Sequence, residues 1–264
     1  MSNEPYPGTQ AILRAIALLK AFTDDRPELG LSDLARIAGL NKTTAYRLLT
    51  ALESEGLVVR AEAADTYRLG PEVIVLGGRA LRANSLRSVS RAELESLARQ
   101  TGEAATLEVL ADGEILILDE AAGSHLIGAA PAIGTRWPAH ATSTGKLLLA
   151  YTPPAELEQI LPLPLAQLTG RTVATMEALR REVTRMGRQG YATAVDELEV
   201  GYVGVSAPVF NHEGQAIAAV SVGGPVTRLT PERIPDIVAL LREAAGRISE
   251  RLGFRPDQES KRTP

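Results

Sequence analysis

The chain has 264 residues, 45% of them hydrophobic and 23% charged, with a formal net charge of −4 and no cysteine. That length suits one large domain or two ordinary ones with a real core, and the composition excludes bulk disorder. The lack of cysteine excludes disulfides, thiolate catalysis and Cys-ligated zinc, while the negative balance excludes a protein that coats nucleic acid by bulk charge, though not a reader whose positive charge is local.

No apolar run approaches the roughly 18 residues that span a bilayer. Residues 1–8 are polar and Pro-rich, without the charged-then-apolar order of a secretory signal. A cytoplasmic protein with no membrane partner is expected. In chain order, Ile12, Ile16 and Leu19 recur at helical spacing and predict a helix over 9–23. Asp24 to Pro27 end it. Ser32 is placed as the N-cap of a short helix carrying Leu34, Ile37 and Ala38, which Gly39 stops. Asn41 is a second N-cap, followed by Ala45, Leu48, Leu49 and Leu52 as an apolar stripe. Residues 57–60 and 66–69 read as a hairpin. Residues 70–90 read as a linker helix and candidate dimer contact.

Beyond it helices and strands alternate. Residues 91–101 are helical. Strands over 104–110 and 114–119 join at Asp112-Gly113, a strong hairpin turn. An apolar segment at 126–133 leads to a helix over 143–151. Pro153-Pro154 opens another. A helix over 176–189 ends at Gly190, and strands over 203–210 and 216–222 follow. Ile234, Ile237, Val238, Leu241, Ala245, Ile248 and Leu252 mark an amphipathic C-terminal helix. The polar tail over 255–264 is expected to be disordered.

Helix, short helix, Gly turn, helix and hairpin is the winged helix-turn-helix order. The outer face of the third helix carries Lys42, Thr43, Thr44, Tyr46, Arg47 and Thr50, groups that reach phosphates and base edges. Ser32 and Asn41 lie at the helix starts, and Arg60 and Arg68 on the hairpin could touch flanking phosphate. Residues 1–70 hold 8 Lys or Arg and 9 Asp or Glu. The same face therefore also suits a solvated or protein-binding surface. The ordered succession of elements favours DNA.

Three stretches resemble the IclR family of transcription regulators: LSDLARIAGLNKTTAYRLLTALESEGLVVR with YRLG (31–70), PAHATSTGKLLLA (138–150) and GYATAVDELEVGYVGVSAPVFNHEGQAIAAVSVGGP (190–225). They span most of the chain in the family's order. The resemblance implies an α+β architecture: a winged helix-turn-helix over 1–70, a linker helix over 71–90, and a GAF-like effector domain over 91–254 with a curved antiparallel sheet flanked by helices. It implies a homodimer or a dimer of dimers. The partners are partly palindromic double-stranded operator DNA near catabolic genes and a small-molecule effector, often a carboxylate. No cofactor or metal is expected, and no enzymatic activity.

The start of the helix at Ser143 offers free N–H groups that favour a carboxylate, with His140 beside it. By the resemblance, the amides of Ser143 and Thr144 hold the acid. Leu126, Ala129 and Trp137 form an apolar wall, Tyr202, Gly204, Ser221 and Gly223 lie on the two closing strands, and Ala194 stands where the family often has a ligand-contacting Asp. The family's common DDEE reads Ala194-Val195-Asp196-Glu197 here, its frequent Cys is Gly204, and one Ser of SxSGP is Gly223. Losing these polar groups is expected to enlarge the pocket, and Trp137 and Tyr202 add aromatic surface. A bulky or aromatic carboxylate is therefore expected. Both rings also suit an ordinary core.

Gly145-Lys146 is no phosphate loop, because His140 stands where the first Gly is needed and Leu147 where Ser or Thr is needed. His125, His140 and His212 lack metal-ligand spacing. Ser143 and His140 lack a third partner for nucleophilic catalysis. A protein-binding winged helix, and an enzyme with an appended DNA-binding module, are the alternatives.

Overall fold

The computed structural model describes residues 9–61, 65–125 and 132–255. The chain divides into two compact units, residues 1–83 and 84–264. In the first, helices α1 (Gln10–Leu19), α2 (Leu31–Ile37) and α3 (Lys42–Ser54) pack with strands β1 (Glu28–Gly30), β2 (Val58–Ala61) and β3 (Thr66–Leu69). The three strands form an antiparallel sheet in the order β1-β3-β2. Leu18, Leu34, Ala45, Leu49, Val58 and Tyr67 make its core. Gly39 has φ 65°, and the Leu40 N–H donates to the Ala35 carbonyl at 2.8 Å. That left-handed turn closes α2 and redirects the chain into α3.

Three expectations are corrected here. The first helix stops at Leu19, because Leu18, Ala21 and Phe22 turn into the core. Ser32 is not a cap: α2 begins one residue earlier, and Gly30 holds the N-cap position without a side-chain bond. The helix read over 70–90 is two, α4 (Pro71–Ala83) and α5 (Ser85–Thr101). Asn84 separates them, and its Oδ1 accepts the Arg87 N–H at 3.1 Å, capping α5.

The second unit is built on a six-stranded antiparallel sheet. Its strands are β4 (Ala104–Ala111), β5 (Glu114–Ala121), β6 (Arg136–Pro138), β7 (Ala192–Val195), β8 (Tyr202–Phe210) and β9 (Ala216–Pro225), in the order β6-β5-β4-β9-β8-β7. Asp112 and Gly113, at φ 55° and 78°, form the expected turn between β4 and β5. Strand alternation gives the sheet two unlike faces. Leu107, Val203, Val205, Val209, Val220 and Val222 point to one side and pack against α5 and the long helix α9 (Ile234–Arg251). Thr106, Glu108, Gly204, Ser206, Ser221 and Gly223 share the other side.

A short helix, α6 (Ser143–Leu149), lies on that second face, and all seven of its residues are buried. Its cap is Thr142, whose Oγ1 accepts the Gly145 N–H at 3.1 Å, which leaves the Ser143 side chain free for another role. A Cβ on Gly145 would stand 2.1 Å from the Ala139 carbonyl oxygen, so the chain folds back on itself here only because that side chain is missing. The helix expected after Pro153-Pro154 is one turn, α7 (Leu157–Ile160), and α8 (Met176–Gln189) ends at Gly190 as its sequence indicates.

Lys146 fixes α6 to its surroundings. Its Nζ is fully buried and lies 2.6 Å from both Glu197 oxygens and 2.6 Å from Glu182 Oε2 on α8. Burial pushes the Glu197 carboxyl above its ordinary range, while Lys146 pulls it back. Glu197 lies in the segment between β7 and β8. Its carbonyl accepts Thr172 Oγ1 at 2.6 Å, and the Gly201 N–H donates to Asp196 Oδ1 at 2.7 Å. Replacing Lys146 with Met leaves a buried carboxylate uncompensated. The expected loss is about 3–5 kcal/mol, seen as an earlier chemical denaturation midpoint and partly recovered by adding Glu197→Gln. A midpoint equal to that of the parent protein would show that the pair holds nothing in place.

Candidate functional site

The first unit presents α3 outward. Ala45, Leu49 and Leu52 are buried, and Lys42, Thr43, Tyr46, Arg47 and Thr50 are exposed. Asn41 caps the helix, its Oδ1 accepting the Thr44 N–H at 2.8 Å, so that oxygen is committed. Thr44 is half-buried, and Thr50 Oγ1 donates to the Tyr46 carbonyl at 3.0 Å. Arg60 on β2 donates from Nε to Asp65 Oδ1 at 3.1 Å and lies 5.8 Å from the Tyr67 ring centre. An exposed pair of this kind contributes little because water screens it, so Arg60 can exchange Asp65 for a phosphate at little cost. Arg68 on β3 is exposed. Ser32 is exposed on the first turn of α2.

In the second unit, the sequence-predicted residues Trp137, Ser143, Thr144, Ala194, Tyr202, Gly204 and Ser221 meet around one small space between α6 and the polar sheet face. Leu126 and Ala129 lie outside the described residues. His140 is corrected: it lines neither this space nor the one beyond it, and its ring Nε2 bonds the Ala166 carbonyl at 2.8 Å.

The expected enlargement is also corrected. A Cβ at Gly223 would stand 1.9 Å from the Tyr202 hydroxyl, and one at Gly204 would stand 2.9 Å from Ser143 Oγ. The room that larger residues would take is already filled by the Tyr202 ring and the freed Ser143 side chain. The inner space measures only about 20 Å³, enough for one water. The larger volume, about 330 Å³, lies outward of Trp137, Leu198 and Tyr202, and Gly223 lines it. There Glu103 takes a two-pronged bond from Arg228, at 2.5 and 2.7 Å.

Sequence reasoning missed Glu108 at the floor of the inner space. It is 3% exposed, and its Oε1 accepts Thr106 Oγ1 at 2.5 Å and Ser221 Oγ at 2.8 Å. The β4–β5 register shifts between Leu107 and Glu108, an irregularity that re-aims a side chain. Burial pushes the Glu108 carboxyl upward, against hydroxyl bonds from Thr106, Ser221 and Thr144. Burial, then the Glu108 charge, pushes the Tyr202 phenol upward too. The amides of Ser143 and Thr144 precede the intrahelical ladder and are left for an outside acceptor. The site thus offers N–H and O–H donors, aromatic walls and one buried acid.

Residues 11–62 match the family description "IclR helix-turn-helix domain", and residues 78–250 match "Bacterial transcriptional regulator IclR C-terminal". The glycerol operon regulatory protein of Streptomyces griseus is 35% identical over 246 residues, covering 92% of this chain and 96% of its own. An IclR transcriptional regulator from Alicyclobacillus acidocaldarius superposes with a TM-score of 0.82 at 28% identity, covering 92% and 98%. An IclR homologue from Microbacterium hydrocarbonoxydans, solved with 4-hydroxybenzoate, gives 0.79 at 31% identity, covering 92% and 99%.

Tyr202 and Gly223 should behave as one unit. Gly223→Ser is expected to cost about 1–3 kcal/mol of stability, the range for overpacking, and to cost much less in a Tyr202→Ala background. Thermal unfolding of the four proteins of this cycle checks it; equal costs in both backgrounds would uncouple the two residues.

Proposed function

The chain belongs to the IclR family of bacterial transcription regulators, and we propose that it controls catabolic genes through a partly palindromic operator whose affinity is set by a small carboxylate with a bulky or aromatic body. Its relatives are named as regulators and repressors, and the chain is a regulator, not an enzyme.

The observation that carries the DNA reading is the exposed row Lys42, Thr43, Tyr46, Arg47 and Thr50 on a capped α3, which suits phosphate and base-edge contacts. The relative named for a glycerol operon supports catabolic control.

For the effector, the acid group is assigned to the Ser143 and Thr144 amides and hydroxyls. The body extends past Trp137 and Tyr202 into the outer space. Its volume of about 330 Å³ lies at the lower end of ligand pockets, roughly 300–1,000 Å³. The neighbour solved with 4-hydroxybenzoate supports an acid with an aromatic ring.

A homodimer, or a dimer of dimers, is supported by α4, which buries none of its residues and exposes Ile74, Val75 and Leu76, and by exposed Ile12, Leu13 and Ile16 on α1. Unpartnered apolar surface of this kind calls for a second chain. Effector and operator then prefer different arrangements of the assembly, and each changes the other's affinity.

A gel-shift titration on the upstream intergenic DNA, with competitor DNA and a panel of acids, is expected to give a discrete complex that one acid strengthens or abolishes. Arg47→Ala should weaken that complex by roughly 1–3 kcal/mol if Arg47 reads a base. Affinity should fall steeply with salt as phosphate contacts release counterions. Salt-independent binding, or none, would favour a winged helix that contacts protein. Calorimetry showing tight binding of glyoxylate or pyruvate, and none of aromatic acids, would remove the bulky effector.

A further inference from the structure

Glu108 is the only Asp, Glu, Lys, Arg or His among the described residues that line the inner space. It stands in the middle of β4, across from Ala219 on β9 and Ile117 on β5. Its hydrogen-bond partners are all hydroxyls: Thr106 on its own strand, Ser221 on β9 and Thr144 on α6. Two nearby cations are committed elsewhere. Lys146 on α6 serves Glu197 and Glu182, and Arg228 serves Glu103. A carboxyl taken out of water without a cation either keeps its proton or waits for a positive partner.

We propose that the effector supplies that partner: it carries a protonated amine that pairs with Glu108, so its class is an amino acid or other amine-bearing acid. This rests on the reading of the space under α6 as the effector site. The charges then close. Glu108 takes the ammonium, a group about as large as the one water that the inner space admits, and the Ser143 and Thr144 donors on the same lining take the acid group. Trp137 and Tyr202 border the same space, and aromatic rings attract a cation. A plain acid brings a second anion toward Glu108 and binds only if one of the two carboxyls holds a proton.

Calorimetry on the full-length protein at neutral pH tests this with pairs that differ only in the amine: phenylalanine against 3-phenylpropionate, tyrosine against 3-(4-hydroxyphenyl)propionate, alanine against propionate. Phenethylamine serves as the amine without an acid. In at least one pair the amine-bearing member is expected to bind roughly ten- to a hundredfold more tightly, the range for a hydrogen bond between charged groups. Glu108→Gln should remove that advantage. The comparison within the unaltered protein stands even if the variant folds poorly. Plain acids binding as tightly as their amine-bearing partners would overturn the amine and keep the carboxylate. Phenethylamine binding as tightly as phenylalanine, with loss in Glu108→Gln, would keep the amine and overturn the carboxylate. Binding of none would overturn both.

Discussion

The effector domain's polar site depends on how closely α6 can be pressed to the sheet and held there. Two adjacent residues do this by different physics. Gly145 removes the Cβ that would collide with the Ala139 carbonyl, and Lys146 reaches from the same turn to Glu197 and Glu182. A fully buried ammonium is tolerated only when its charge is met on the spot. Lys146 therefore fixes α6, α8 and the segment between β7 and β8 in one arrangement. Because Leu198 and Tyr202 follow from that segment, the lysine also places one wall of the site.

The sheet divides its work between its faces. One is filled with valine, leucine and alanine against α5 and α9 and needs no further explanation than apolar burial. The other carries small and hydroxyl side chains, one acid and one tyrosine. Only part of this face gains from packing: Leu110, Ala192 and Ala219 meet Leu147, Leu148 and Met186. It is retained under α6 as a lining of donors and acceptors, with the Tyr202 ring in the place a larger residue at position 223 would take. The inner space is tight, and the larger volume lies outward of the aromatic pair.

Much of the fold was legible because its signals are local. Asn41 and Gly39 punctuate the helix-turn-helix, Asp112-Gly113 dictates a turn, and Gly190 ends α8. The three-residue strands β1 and β6 escaped because so short a run has no readable alternation; their pairing comes from neighbours distant in sequence. Most site positions were reached through family resemblance. Glu108 and Lys146 were not, although each left a sign. Glu108 sits between Leu107 and Val109 as the one charged residue of its strand, and Lys146 precedes Leu147, Leu148 and Leu149 as the one charged residue of its helix. A charged residue inside an apolar run asks for a buried partner. Sequence alone could not say which, since the partners lie 36, 51 and 113 residues away.

The central claim is that one small molecule and one stretch of DNA share control of this chain. Thermodynamic linkage makes that claim reciprocal. The direct measurement is the affinity of the acid that binds the free protein most tightly, taken once without DNA and once with saturating operator DNA. Operator is expected to change the acid's affinity by the same factor, and with the same sign, as the acid changes the operator's. An acid that binds the effector domain equally well with and without operator would contradict it, and the winged helix and the cavity under α6 would then serve separate ends.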